Sequence, residues 1–138
     1  AALLTAYHNA GGAVHLPQAL FEIYSRGRQV PGGSCGFWGA CGAGVSTGMF
    51  ISIVTGASPL ADRAWGLSNQ MTARALARIG EIGGPRCCKR DAYFAIMEAV
   101  QFTREALAIS MELSSPLCTR SRQNRHCLRS RCPFHGGE

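Results

Sequence analysis

Strand alternation is almost absent from this sequence: hardly any stretch repeats apolar and polar residues with the period of two that a half-buried strand needs. A helical fold is therefore expected. Long apolar runs are missing too. The longest, Met49 to Val54, falls far short of the ~20 residues that cross a bilayer, so no membrane span is expected. The first residues, AALLTAYHNAGG, lack the basic start and cleavage pattern of a secretory leader, which points to the cytoplasm. Acidic residues are scarce, eight against fourteen lysines and arginines, and none suggests a paired-carboxylate centre. No Ser-His-Asp set is present either, so acid–base hydrolysis is a poor fit. Without repeats or low-complexity linkers, residues 1–138 read as one domain, able to bury about two-thirds of its unfolded surface without disulfides. The chain starts at Ala1 without Met and inside a helical pattern, so a further segment upstream is expected.

Cysteine, by contrast, is abundant. Seven occur in three groups: Cys35 and Cys41 in PGGSCGFWGACGAG, Cys87 and Cys88 in GGPRCCKR, and Cys118, Cys127 and Cys132 in a basic tail spanning 114–138. An odd count and no leader favour free thiols over a disulfide framework. Thiolates are the main protein ligands of zinc and iron–sulfur clusters, so the groups read as a metal or redox site. Arg120, Arg122, Arg125, Arg129 and Arg131 crowd the tail, where Glu138 is the lone acid. We expect a solvated basic tail whose arginines stabilise nearby thiolates. Nucleic acid is a weaker expectation, because no aromatic residue interleaves with these arginines for base stacking.

The helical pattern begins at Leu16 to Ser25, with Pro17 in a first turn and Gly27 as a stop. A second helix is expected from Gly42 to Thr55, where Gly44, Gly48, Ser52 and Gly56 recur every fourth residue as a smooth stripe for close approach of another backbone. Ser58 and Pro59 look like the cap of a helix carrying Leu60, Ala64 and Leu67, continued by Asn69 to Ile79. Asp91 is the expected cap of a last helix reaching about Leu113. The expected fold is an all-α, compact single-domain helical bundle with a cysteine-rich loop and a cysteine-rich tail.

Several motifs carry chemistry. The glycines after Cys41 follow no strand and lack GxGxxG spacing, which excludes a dinucleotide-binding turn. Cys41 instead precedes a helix, whose free N–H groups and dipole should lower a thiol pKa. Adjacent Cys87 and Cys88 cannot easily bind one ion in regular geometry, so one ligates while the other packs or acts as a nucleophile. Their neighbours Arg86, Lys89 and Arg90 favour thiolate over thiol. The tail gives C-x8-C-x4-C followed by Pro133, an ending shared with cluster-binding runs. Three tail thiolates with one from Cys35, Cys41 or the pair could complete a four-ligand site. Of His8, His15, His126 and His135, His15 reads as a helix-start residue and His126, beside Cys127, as the better ligand candidate.

The runs VPGGSCGFWGACGAGVSTGMF, AWGLSNQMTARAL, GGPRCCKRDAYFAI and CTRSRQNRHCLRSRCP together resemble a domain family of unknown function from anaerobic archaea and bacteria, whose members are often named as SAM-dependent methyltransferases. The resemblance implies a cysteine-dependent domain that is either fused to, or only named after, a methyltransferase lying elsewhere. It also implies functional roles for Cys35, Cys41, Cys87, Cys88, Cys118, Cys127 and Cys132, with Asn69, Arg86, Lys89 and Arg90 as polar neighbours.

The favoured reading is an iron–sulfur protein in sulfur or redox chemistry. In it Cys118, Cys127, Cys132 and Cys88 are metal ligands, while Cys35, Cys88, Lys89, Arg90 and Asn69 contact the cofactor. Cys41, Cys87 and Arg86 act on a small sulfur-containing or anionic substrate. The alternatives are a zinc-stabilised module whose basic tail meets RNA or a partner protein, and an accessory domain of a methyltransferase.

Overall fold

The computed structural model describes residues 1–136. Six helices follow one another: α1 (Ala2–Asn9), α2 (Leu16–Gly27), α3 (Ser34–Phe37), α4 (Gly42–Thr55), α5 (Arg63–Ile82) and α6 (Cys88–Leu107). Two short 3-10 turns, Ser121–Gln123 and Arg129–Arg131, punctuate the tail. No strand occurs among the described residues, so the expected all-α fold is correct. None of these helices is long and apolar enough to cross a membrane.

Helix α4 is the centre of the bundle and packs against α1, α2, α5 and α6. Its buried Phe50 and Ile51 meet Leu4 and Tyr7 of α1, Met71 and Ala75 of α5, and Ala95, Ala99 and Phe102 of α6. The closest approach is to α5. A Cβ on Gly44 would lie 2.7 Å from Leu76 Cδ2, and one on Gly48 would lie 3.0 Å from the Ser68 carbonyl and overlap Thr72 Oγ1. Two members of the small-residue stripe therefore work as expected. The other two do not contact α5 in this way: Ser52 accepts a hydrogen bond from Arg26 Nη1 of α2 (2.8 Å), and Gly56 ends α4 in the left-handed conformation (φ 64°), where glycine is strain-free.

Three expected boundaries shift. Ser58 and Pro59 do not begin a helix. Ala61 N donates to Ser58 O, closing a turn that leaves Leu60 exposed, and one unbroken α5 then runs from Arg63. Asp91 is not the cap of α6, because Asp91 N already donates to Cys87 O and the first turn is closed by the cysteine pair. Its carboxylate turns inward instead. At the other end α6 stops at Leu107, with Ala108 in the left-handed region (φ 56°), and Met111 folds back onto the core.

The tail keeps its five arginines exposed, as expected, yet docks on the bundle. Phe134 is buried and packs its ring against Tyr93 and Phe94 of α6, with centroids 5.2 and 4.8 Å apart. Cys118 N donates to Phe134 O (2.7 Å), pairing Cys118 with His135 in one isolated parallel bridge and closing the tail into a loop. Aromatic burial supplies the docking energy, and the bridge sets which residues face α6.

Candidate functional site

Docking of the tail on α6 encloses a cleft of about 570 Å³. One wall is the start of α6, and the other is the folded tail. Five of the seven cysteines line it: Cys87 and Cys88 from the first wall, Cys118, Cys127 and Cys132 from the second. Four are half-buried and Cys88 is exposed.

The first wall is fixed by Arg90. Its guanidinium, 3% exposed, donates to Gly83 O (2.9 Å) and Pro85 O (3.1 Å) and pairs with Asp91 (3.2 Å), so the α5–α6 turn is tied to the helix that follows it. Gly83 sits at φ 70°, ψ −171°, a conformation open essentially to glycine alone. The turn thereby carries Cys87 and Cys88 to the helix start. Arg90 holds this turn and also lines the cleft. Arg86 and Lys89 are exposed and line the cleft with Arg120 of the tail, while no carboxylate lines it among the described residues. Positive charge and the free N–H end of a 20-residue helix together favour an anionic occupant.

The second wall is a series of tight turns. Asn124 Oδ1 accepts the His126 N–H (3.0 Å) and Asn124 O accepts that of Cys127. Arg129 adopts a left-handed backbone (φ 53°), which costs a non-glycine residue ~1 kcal/mol and aims its N–H back at Cys127 Sγ (3.4 Å). Cys132 N donates to Arg129 O, and His135 N to Cys132 O. His135 Nε2 is buried in the cleft wall without a hydrogen-bond partner. A buried polar nitrogen in that state costs about 1–3 kcal/mol. His126, the histidine favoured from sequence, is exposed and outside the lining. The sequence marks His135 only by its place two residues beyond Cys132-Pro133, a weaker signal than the direct Cys127 neighbour of His126.

Among the described residues no three Cys, His, Asp or Glu side chains already converge as a ligand cage. The thiols share the walls of one cleft.

Cys35, Cys41 and Asn69 lie outside that lining. Asn69 is exposed on α5 and its amide donates to Trp65 O of the same helix (2.9 Å). Cys41 is the residue before α4, and its Sγ donates to Asp91 Oδ2 (3.9 Å). Burial pushes its thiol above the ordinary value, with the Asp91 charge and Cys35 adding to the rise, while the N–H groups of Ala43 and Gly44 pull the other way. The helix start alone would lower the Cys41 thiol pKa. Desolvation and the facing carboxylate outweigh it, which reverses the expectation from sequence.

Comparison with curated proteins and with solved structures returns no match. A family model does match, over residues 1–135. The chain thus belongs to a family of unknown function, DUF5714.

Proposed function

We propose that this domain is a cysteine-dependent metal-binding protein whose cleft holds an iron–sulfur cluster for sulfur or redox chemistry. The observation that carries the reading is the gathering of five cysteines from two distant segments around one basic cleft, whose wall contains a buried nitrogen without a partner. The donor set fits: Cys118, Cys127 and Cys132 would supply three thiolates, and the fourth comes from the Cys87–Cys88 pair. A cluster bound there would supply electron transfer, or an iron that polarises a sulfur-containing substrate. Arg86, Lys89 and Arg120 attract an anionic substrate to the mouth, and the charge of the α6 start adds to their pull. A small anion suits this arrangement better than nucleic acid, because these charges converge on a cleft.

His135 supports a second reading. Three tail thiolates with its Nε2 make a Cys3His set, which is a structural zinc set. The described residues carry no sheet for a SAM-binding turn, so the accessory reading places the methyltransferase site on another domain.

Anaerobic purification followed by visible absorption and metal analysis tests the proposal. Brown protein containing iron and sulfide, bleached by air, is the expected result, because thiolate-bound iron gives charge-transfer absorption and zinc gives none. Stoichiometric zinc without iron selects the second reading. Failure to retain either metal after anaerobic reconstitution overturns both.

A further inference from the structure

Outside the cleft, two thiols and a buried carboxylate form a second group. Cys35 lies on α3 and Cys41 just before α4, with five residues between them. Their neighbours are stitched together: Ala40 N donates to Ser34 O (3.1 Å) and Ser34 Oγ donates to Ala40 O (2.9 Å). Residues 34 and 40 thus close the loop between the two cysteines, and Cys35 is near enough to Cys41 to act on its thiol electrostatically. Gly39, at φ 65°, makes the reversal. Both thiols are half-buried and free. Asp91 is 3% exposed and faces the Cys41 sulfur at 3.9 Å.

We propose that Cys35 and Cys41 are a redox-active dithiol that is oxidised to a disulfide by low-molecular-weight disulfides, with Asp91 accepting the Cys41 proton. Cys35 attacks first. Its thiolate displaces one thiolate from the small disulfide, leaving a mixed disulfide on Cys35. Cys41 then gives its proton to the Asp91 carboxylate and its sulfur attacks Cys35 Sγ, expelling the second thiolate. Two electrons leave the protein, one disulfide forms, and the small disulfide becomes two thiols. Burial and the facing carboxylate keep Cys41 protonated until that step, which suits the resolving partner rather than the first nucleophile. Trp38 lies inside the loop that the disulfide would close and is 70% exposed, so its fluorescence reports the change.

Metal-free protein is treated with bis(2-hydroxyethyl) disulfide, quenched with iodoacetamide and digested with trypsin. Both cysteines fall on the single peptide between Arg28 and Arg63, and the five cleft cysteines fall on others. The expected result is loss of two hydrogens and of both alkyl groups from that peptide, with quenching of Trp38 that is absent in Trp38→Phe. Cys35→Ser should leave Cys41 alkylated at oxidant levels that close the loop in the parent. Asp91→Asn, checked for folding by circular dichroism, should prolong the Cys35 mixed disulfide about tenfold or more. Full alkylation of both cysteines, or stable mixed disulfides on both, overturns the proposal, and an unchanged mixed-disulfide lifetime in folded Asp91→Asn removes Asp91 from it. None of these outcomes depends on whether the cleft binds metal.

Discussion

Gly48→Ala tests whether α4 and α5 touch backbone to backbone. Alanine in place of glycine inside a helix is worth about 1 kcal/mol in favour of folding. Here the added Cβ would lie 3.0 Å from the Ser68 carbonyl, which cannot retreat unless α5 moves with it. It would also overlap Thr72 Oγ1, which donates to Ser68 O (3.2 Å), so rotating that hydroxyl away gives up a bond worth ~1 kcal/mol. Overpacking of this kind costs about 1–3 kcal/mol. Gly66→Ala is the control, because its Cβ would meet nothing within 4 Å and the residue sits in α5 with an ordinary helical φ. Both variants share the helix-propensity gain, so the gap between them isolates the overpacking. Urea unfolding followed by circular dichroism should show Gly66→Ala more stable than the parent and Gly48→Ala below Gly66→Ala by about 1–3 kcal/mol. If the two variants move together, the close approach of α4 to α5 is refuted.

Single changes of Cys118, Cys127 or Cys132 to Ser should lower bound metal and thermal stability together, since binding energy at such a site is folding energy; undiminished metal in all three would remove the tail from the ligand set. Under the zinc reading His135→Ala joins that group, whereas with a four-cysteine cluster its metal content stays at the parent level. Arg90→Ala should cost about 3–5 kcal/mol in urea unfolding, because Asp91 is left as a buried charge without its partner; a loss below about 1 kcal/mol would show the pair to be solvated. The raised Cys41 thiol predicts alkaline instability: below its ordinary value of 9.0 both states hold the proton, while above it the unfolded chain releases a proton that the native state keeps, so stability falls as pH rises. The unfolding midpoint of Cys41→Ser should therefore decline less than that of the parent between about pH 8 and pH 10, and equal declines would contradict the shift.

The helical periodicity and the α4 limits were legible because glycine spacing and apolar stripes are local signals. The Asp91 misreading has a physical cause. A carboxylate at the end of GGPRCCKRD looks like a cap only while its buried arginine partner and the Cys41 thiol are out of view. The cysteine groups were legible as types, but their sorting was not. Chain order gives no reason for Cys87 and Cys88 to meet the tail while Cys41 meets Asp91 outside the cleft, since that division depends on Phe134 finding Tyr93 and Phe94. His135 ranks below His126 in the sequence for the same reason, since the Cys118 pairing that places it in the cleft wall is not a local signal.

The anchoring of Phe134 also bears on the order of folding. Both of its ring partners sit on α6, so the tail has no surface to close upon until that helix is in place. Among the described residues the bundle core from α1 to Met111 contains no tail residue beyond it, so the two parts are expected to open as separate cooperative units. Hydrogen exchange should find Cys118 and His135 amides opening at a lower free energy than those around Phe50 and Ile51. One cleft wall can then come away while the helices stay folded, and access to its thiols is set by a local opening rather than by the stability of the whole domain.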